Sequence, residues 1–126
     1  MFNVVHFEIP ADEVERAKKF YSELFGWKIA EFTGPTPMEY WEITTSGEKG
    51  EMGLLGGGMM KRQDPDQRIT IYVDVPSIDE YTGRVKKLGG QVCVPKTAVP
   101  GMGYFAVCLD QENNGFGLWE NNPSAQ

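Results

Sequence analysis

Two half-length copies of one strand–helix–strand–strand–strand pattern place this chain in the α+β class. The pattern predicts two βαβββ modules that pair their curved mixed sheets around a central cavity. Three observations carry the prediction. An alternating strand leads into a capped amphipathic helix over residues 4–28, the same order of signals returns over residues 68–95, and the two capping residues, Asp12 and Ser77, stand about half the 126-residue chain apart.

The first copy opens on a strand with Val5, Phe7 and Ile9 on one face and Val4, His6 and Glu8 on the other. Asp12 followed by Glu15 forms a capping-box pattern. Val14, Ala17, Phe20, Tyr21 and Leu24 make the apolar helix stripe, with Glu13, Arg16, Lys18, Lys19 and Glu23 outside it. Gly26 stops the helix. One strand face is thus covered, and His6 sits on the face that is not. Residues 27–32 read as a strand, and Gly34, Pro35 and Pro37 force a loop. Residues 38–45 alternate, with Tyr40, Glu42 and Thr44 opposite Trp41 and Ile43. Residues 46–49 turn, and residues 51–60 form a strand holding Gly56, Gly57 and Gly58. A glycine run of this kind marks a bulge or a close approach by a ligand or another backbone.

Residues 61–67, polar and carrying Pro65, read as a linker between module one (1–60) and module two (68–122) of a single domain. Module two begins with Ile69, Ile71 and Val73 on one strand face and Arg68, Thr70 and Tyr72 on the other. Ser77 and Glu80 give a second capping box, Ile78, Tyr81, Val85 and Leu88 the second helix stripe, and Gly89–Gly90 its end. Strands follow at 91–95, 104–109 and 115–120, divided by turns at 100–103 and 110–114. The helix-facing sets, including Phe116 and Leu118, build two cores. Strand parity points His6, Glu8, Arg68, Thr70, Tyr72 and Trp119 inward.

A net charge of −6 leaves no basic stripe to neutralise phosphates, which argues against nucleic acid. No run is long enough to span a bilayer. The N-terminus shows no charged leader with a small-residue cleavage site, so a cytoplasmic location is expected. Cys93 and Cys108 fall on neighbouring strands. Buried reduced thiols and a disulfide are the alternatives there.

The paired unit, with HFEIPADEVERAKKFYSELFGW opening the first half and VPGMGYFAVCLDQENNGFGLWE closing the second, resembles the glyoxalase/bleomycin resistance/dioxygenase superfamily, also called vicinal oxygen chelate proteins. It is most similar to the short glyoxalase-like members ending in Gly-Leu-Trp-Glu. The resemblance implies paired βαβββ modules, a cavity between them and a homodimer. The activities it implies are metal-dependent lyases, isomerases and ring-cleaving dioxygenases, or metal-free binders of drugs.

The metal members place His or Gln on the first strand, Glu on the fourth, His on the fifth and Glu on the eighth. Of these positions only His6 matches here. The fourth-strand position falls within residues 54–59, which offer no carboxylate, amide or imidazole; Arg68 stands at the fifth and Gly117 at the eighth. A guanidinium is not a ligand and repels a divalent cation. Glu120, three residues beyond Gly117, has the opposite parity and points away from the cavity. Sets such as His6, Glu8, Glu51 and Glu120 need a register shift that turns the apolar faces outward. The expected cofactor is therefore none, the alternative being a divalent metal such as Zn, Ni, Fe or Mn.

The remaining candidates each carry two readings. His6 is a hydrogen-bonded structural residue or a ligand contact with a proton-transfer role. Arg68 is a solvated rim residue or a clamp for an anion. Trp119, Tyr72 and Tyr104 are core aromatics or stacking surfaces for a flat ligand. Met52, Met59, Met60 and Met102 pack, or line a soft pocket wall. The expected function is binding of a small aromatic or anionic organic molecule by His6, Glu8, Arg68, Thr70, Tyr72, Tyr104 and Trp119. The alternative is a glyoxalase-type lyase, isomerase or extradiol-type dioxygenase. A third reading is an assembly module that uses the fold as a dimer scaffold.

Overall fold

A computed structural model describes residues 2–32, 39–45 and 55–126 of the chain. The expected loop at 34–37 and turn at 46–49, together with Met38, Glu51, Met52 and Leu54, lie outside the described residues. Eight strands and two helices run in the order β1 (Val4–Ala11), α1 (Val14–Phe25), β2 (Lys28–Glu31), β3 (Tyr40–Thr44), β4 (Gly56–Lys61), β5 (Thr70–Asp74), α2 (Ile78–Lys87), β6 (Gln91–Val99), β7 (Gly103–Leu109) and β8 (Gly115–Asn121). The class is α+β. The chain divides into two compact units, one of residues 6–69 and one of residues 1–5 with 70–126.

Both units share one topology. In the unit of residues 6–69 the strands lie in the order β2-β3-β4-β1, with β1 parallel to β4 and the other neighbours antiparallel. In the other unit the order is β6-β7-β8-β5, again with the first strand parallel to the last. This is the duplication that the periodicity announces. A parallel pair needs a long crossover, and the helix and intervening strands supply it.

Each helix covers one sheet face. Ile9, Ala11, Ile43 and Met59 are buried beneath α1, and Phe7, Val14, Ala17, Tyr21, Trp27, Ile29 and Trp41 pack against them. In the other unit Val75, Ile78, Ala106, Cys108 and Leu118 form the core, with Tyr81, Val85, Val92, Tyr104 and Phe116 around it. The alternation read from the sequence therefore sorts most side chains correctly.

Several expectations are corrected. Asp12 does not cap α1. Glu13 occupies that position without a side-chain cap, because the Asp12 carboxylate is paired with Arg62 at 3.0 Å. Arg62 also donates to the Pro10 and Gln67 carbonyls and so fastens the segment after β4 to the end of β1. Phe20 and Leu24 are 58% and 57% exposed. The contact face is centred on Val14, Ala17 and Tyr21, and Phe20 lies about a quarter-turn round the helix from it. Leu88 serves as the C-cap of α2 and is exposed. Ile69 precedes β5, and both it and Ile71 are exposed rather than core-building. β6 continues past Pro95 to Val99, with irregularities on either side of Val94. It is the outermost strand of its sheet, the place where a residue lacking an N–H is tolerated.

Other expectations match. Ser77 caps α2 by accepting from the Glu80 amide at 3.1 Å. Gly26 closes α1 at φ +74°, in the left-handed region where a side chain is strained. Both cysteines are free thiols and Cys108 is buried as expected, whereas Cys93 is exposed rather than buried. Burial, with a smaller contribution from nearby Cys93, pushes the Cys108 thiol up to about 11.

Candidate functional site

The sheet face opposite α1 is built by strand parity. Phe7 and Ile9 on β1 and Trp41 and Ile43 on β3 join the core, so His6, Glu8, Tyr40 and Glu42 emerge on the other side. The register places them together. His6 is opposite Gly56 and Glu8 opposite Gly58 on one flank of β4, and Glu42 is opposite Gly58 on the other.

The glycine run gives this arrangement its shape. A Cβ at Gly58 would lie 1.7 Å from the Tyr40 hydroxyl and 2.1 Å from its Cζ, so the phenol tip rests directly on the bare backbone. A Cβ at Gly57 would meet the Phe7 ring at 2.5 Å on the core side. The run thus admits two rings from the chain itself, one on each face. From there the Tyr40 hydroxyl reaches both neighbours on β1. It lies 2.7 Å from His6 Nε2 and donates to Glu8 Oε2 at 3.0 Å. The His6 and Tyr40 rings are nearly parallel, with centroids 6.5 Å apart. Burial lowers the pKa of His6 and the Glu42 charge partly restores it, so the imidazole is neutral near pH 7.

Tyr40 and Glu42 were missing from the set read from sequence. Their signal was present in the alternation of residues 38–45, which put both opposite the core residues Trp41 and Ile43. Arg68 is exposed just before β5, and one of its nitrogens donates to the Pro65 and Gln67 carbonyls.

In the other unit Thr70, Tyr72 and Trp119 share the face opposite α2. The Tyr72 ring lies over Gly117, where a Cβ would meet it at 2.2 Å, and stands edge-on to Phe105 with centroids 6.5 Å apart. The Trp119 indole crosses Gly103 and donates from Nε1 to Asn121 Oδ1 at 2.8 Å. Tyr104 is the correction here. It packs on the α2 side with the core, under the Lys96 ammonium 4.5 Å from its ring centroid, and the aromatic on the open face is its neighbour Phe105. β7 turns successive side chains to opposite faces, so a one-residue difference decides the matter.

The residues present do not fit the metal of the related enzymes. Gly117 stands where the eighth-strand glutamate belongs, and the Tyr72 ring fills the space over it. Glu120 accepts from the Ile78 amide at 2.8 Å, at the start of α2. β4 offers glycines and methionines, and His6 is engaged with Tyr40. Among the described residues no three His, Cys, Asp or Glu side chains gather as a metal would require. No helix among them is long and apolar enough to cross a membrane.

The chain is similar to several known proteins. Residues 3–45 match the bleomycin resistance protein-like N-terminal family. A glyoxylase-like domain-containing protein from Didymella fabae is 35% identical over 86 residues, covering 67% of this chain and 66% of that protein. The fold is shared with methylmalonyl-CoA epimerase from Mycobacterium tuberculosis, at TM-score 0.66 and 12% identity over 95% of this chain and 88% of that one. It is also shared with a glyoxalase/bleomycin resistance protein/dioxygenase superfamily member from Vibrio splendidus 12B01, at TM-score 0.67 and 11% identity over 96% of this chain and 100% of that one. Identities this low speak to the fold alone. Sequence match and shared fold together place this chain in the glyoxalase/bleomycin resistance/dioxygenase superfamily.

Proposed function

We propose that this protein binds a small aromatic organic molecule carrying a hydrogen-bonding group, and does so without a divalent metal. The observation that carries the reading is the row His6–Tyr40–Glu8, a hydrogen-bonded polar chain held on the face of the sheet that α1 leaves uncovered. Ligand sites place a few convergent polar groups of this kind beside apolar and aromatic surface. The edge-on pair of Phe32 and Tyr40, with ring centroids 6.0 Å apart, supports the aromatic part of the reading, and the donor chemistry at the four family positions supports the metal-free part.

Thermal-shift titration with small aromatic compounds tests it, alongside metal analysis of protein purified without chelators. The expected result is a stabilising aromatic ligand whose effect is lost in His6→Ala and Tyr40→Phe. A near-stoichiometric metal that disappears in His6→Ala would overturn the metal-free reading. A panel in which no compound stabilises the protein would overturn the binding reading.

A further inference from the structure

Helix α1 buries one side and leaves a seam on another. Val14, Ala17 and Tyr21 pack toward the sheet, while Arg16, Lys19, Phe20, Glu23 and Leu24 share an exposed ridge at helical spacing. Phe20 and Leu24 are each more than half exposed and stand on consecutive turns, an apolar strip rimmed by charge rather than two scattered side chains. The charges beside them are not spent within the helix. Arg16 pairs with Glu13 at 2.9 Å and Lys18 with Glu15 at 3.4 Å, but among the described residues Lys19 and Glu23 have no ion-pair partner. Lysine four residues before glutamate is the weaker order for a pair on one helix. The last turn of α1 carries no basic side chain, so no cation of the helix itself meets the negative end of its dipole.

We infer that this ridge is a docking seam for a second copy of the chain, laid antiparallel along the first about a twofold axis level with Tyr21. Lys19 and Glu23 lie equally far from Tyr21 on either side, so that axis brings each lysine to the glutamate of the other copy. The same register sets Phe20 between Phe20 and Leu24 of the other copy, ridge into groove. Arg16 comes level with Gly26 of the other copy, at the carbonyl end of its helix. A parallel arrangement would instead face lysine with lysine and glutamate with glutamate. One helix seam falls short of the roughly 800 Å² per partner of a stable interface, so the association is weak and concentration-dependent.

Sedimentation velocity of the full chain from about 1 μM to about 1 mM spans the affinities of weak interfaces. The parent should pass from monomer to dimer within that range. Phe20→Ala, Lys19→Glu and Glu23→Lys alter exposed side chains and should keep the parent's circular dichroism, yet each should weaken the dimer about tenfold or more. The decisive sample mixes Lys19→Glu with Glu23→Lys. Alone, each variant meets like charge across the axis. The mixed pair sets opposite charges together at both contacts, so association should return to the parent's strength. An effect confined to one helix cannot be repaired by mixing two chains. A parent that stays monomeric throughout overturns the docking seam. So does a dimer indifferent to Phe20→Ala or to both charge reversals, because its contact lies elsewhere. A mixture that associates no better than its components overturns the antiparallel register.

Discussion

Removing the carboxylate of Glu120 tests whether this residue belongs to the helix rather than to a site. Its Oε1 accepts from the Ile78 amide at 2.8 Å, one of the donors that α2 cannot satisfy internally, and Ile78 itself is fully buried. Glu120→Ala removes a charge-assisted hydrogen bond, worth about 1.5–3 kcal/mol where water is excluded. It also removes a negative charge at a helix N-terminus, worth about 0.3–1 kcal/mol. Glu120 is only half-buried and water can partly replace it, so the lower part of the combined range applies, about 2 kcal/mol. For a domain of this size that corresponds to roughly 3–5 °C of Tm per kcal/mol. Urea unfolding is the assay, with Glu120→Gln as the comparison. The amide keeps the hydrogen bond and loses the charge, and should recover about half of the loss. A Glu120→Ala protein within about 0.5 kcal/mol of the parent, the range of an ordinary surface change, would refute the capping role.

Three more predictions can be checked directly. The folded pKa of His6 is depressed below the ordinary value of about 6.5, so the unfolded chain binds its proton first as pH falls; stability should be complete above that value and decline below it, and unfolding curves of His6→Ala should lack this component. One thiol, Cys93, should react with a disulfide reagent in the folded protein, while Cys108, fully buried and raised to about 11, should react only after unfolding. Gly117→Ala should cost about 1–3 kcal/mol by overpacking, since its Cβ meets the buried Tyr72 ring at 2.2 Å, and urea unfolding should show the cost vanish in a Tyr72→Ala background.

Much of the candidate site was legible because strands alternate. Parity alone puts His6 and Glu8 outside the core, turns Glu120 toward α2 and sets Tyr40 and Glu42 opposite Trp41 and Ile43. Tyr104 went wrong for the same reason that parity is powerful. An aromatic adopted for its type rather than its face was one residue from Phe105, which takes the open side. Asp12 was misread as a cap because the competing partner, Arg62, lies fifty residues away and only the folded chain brings it within 3.0 Å.

The sequence by itself determined the duplicated strand–helix order, the Ser77 and Gly26 helix ends and the division of each strand into a core and an open face, because these follow from the local periodicity of side-chain direction and from backbone preferences within a few residues. Only the tertiary structure decided that Tyr40 stands between His6 and Glu8, that Gly58 makes room for it, and that Asp12 prefers Arg62 to its own helix. Those outcomes depend on which distant strands become neighbours and in what register, and a register is fixed by burial across the whole sheet rather than by any one stretch of chain.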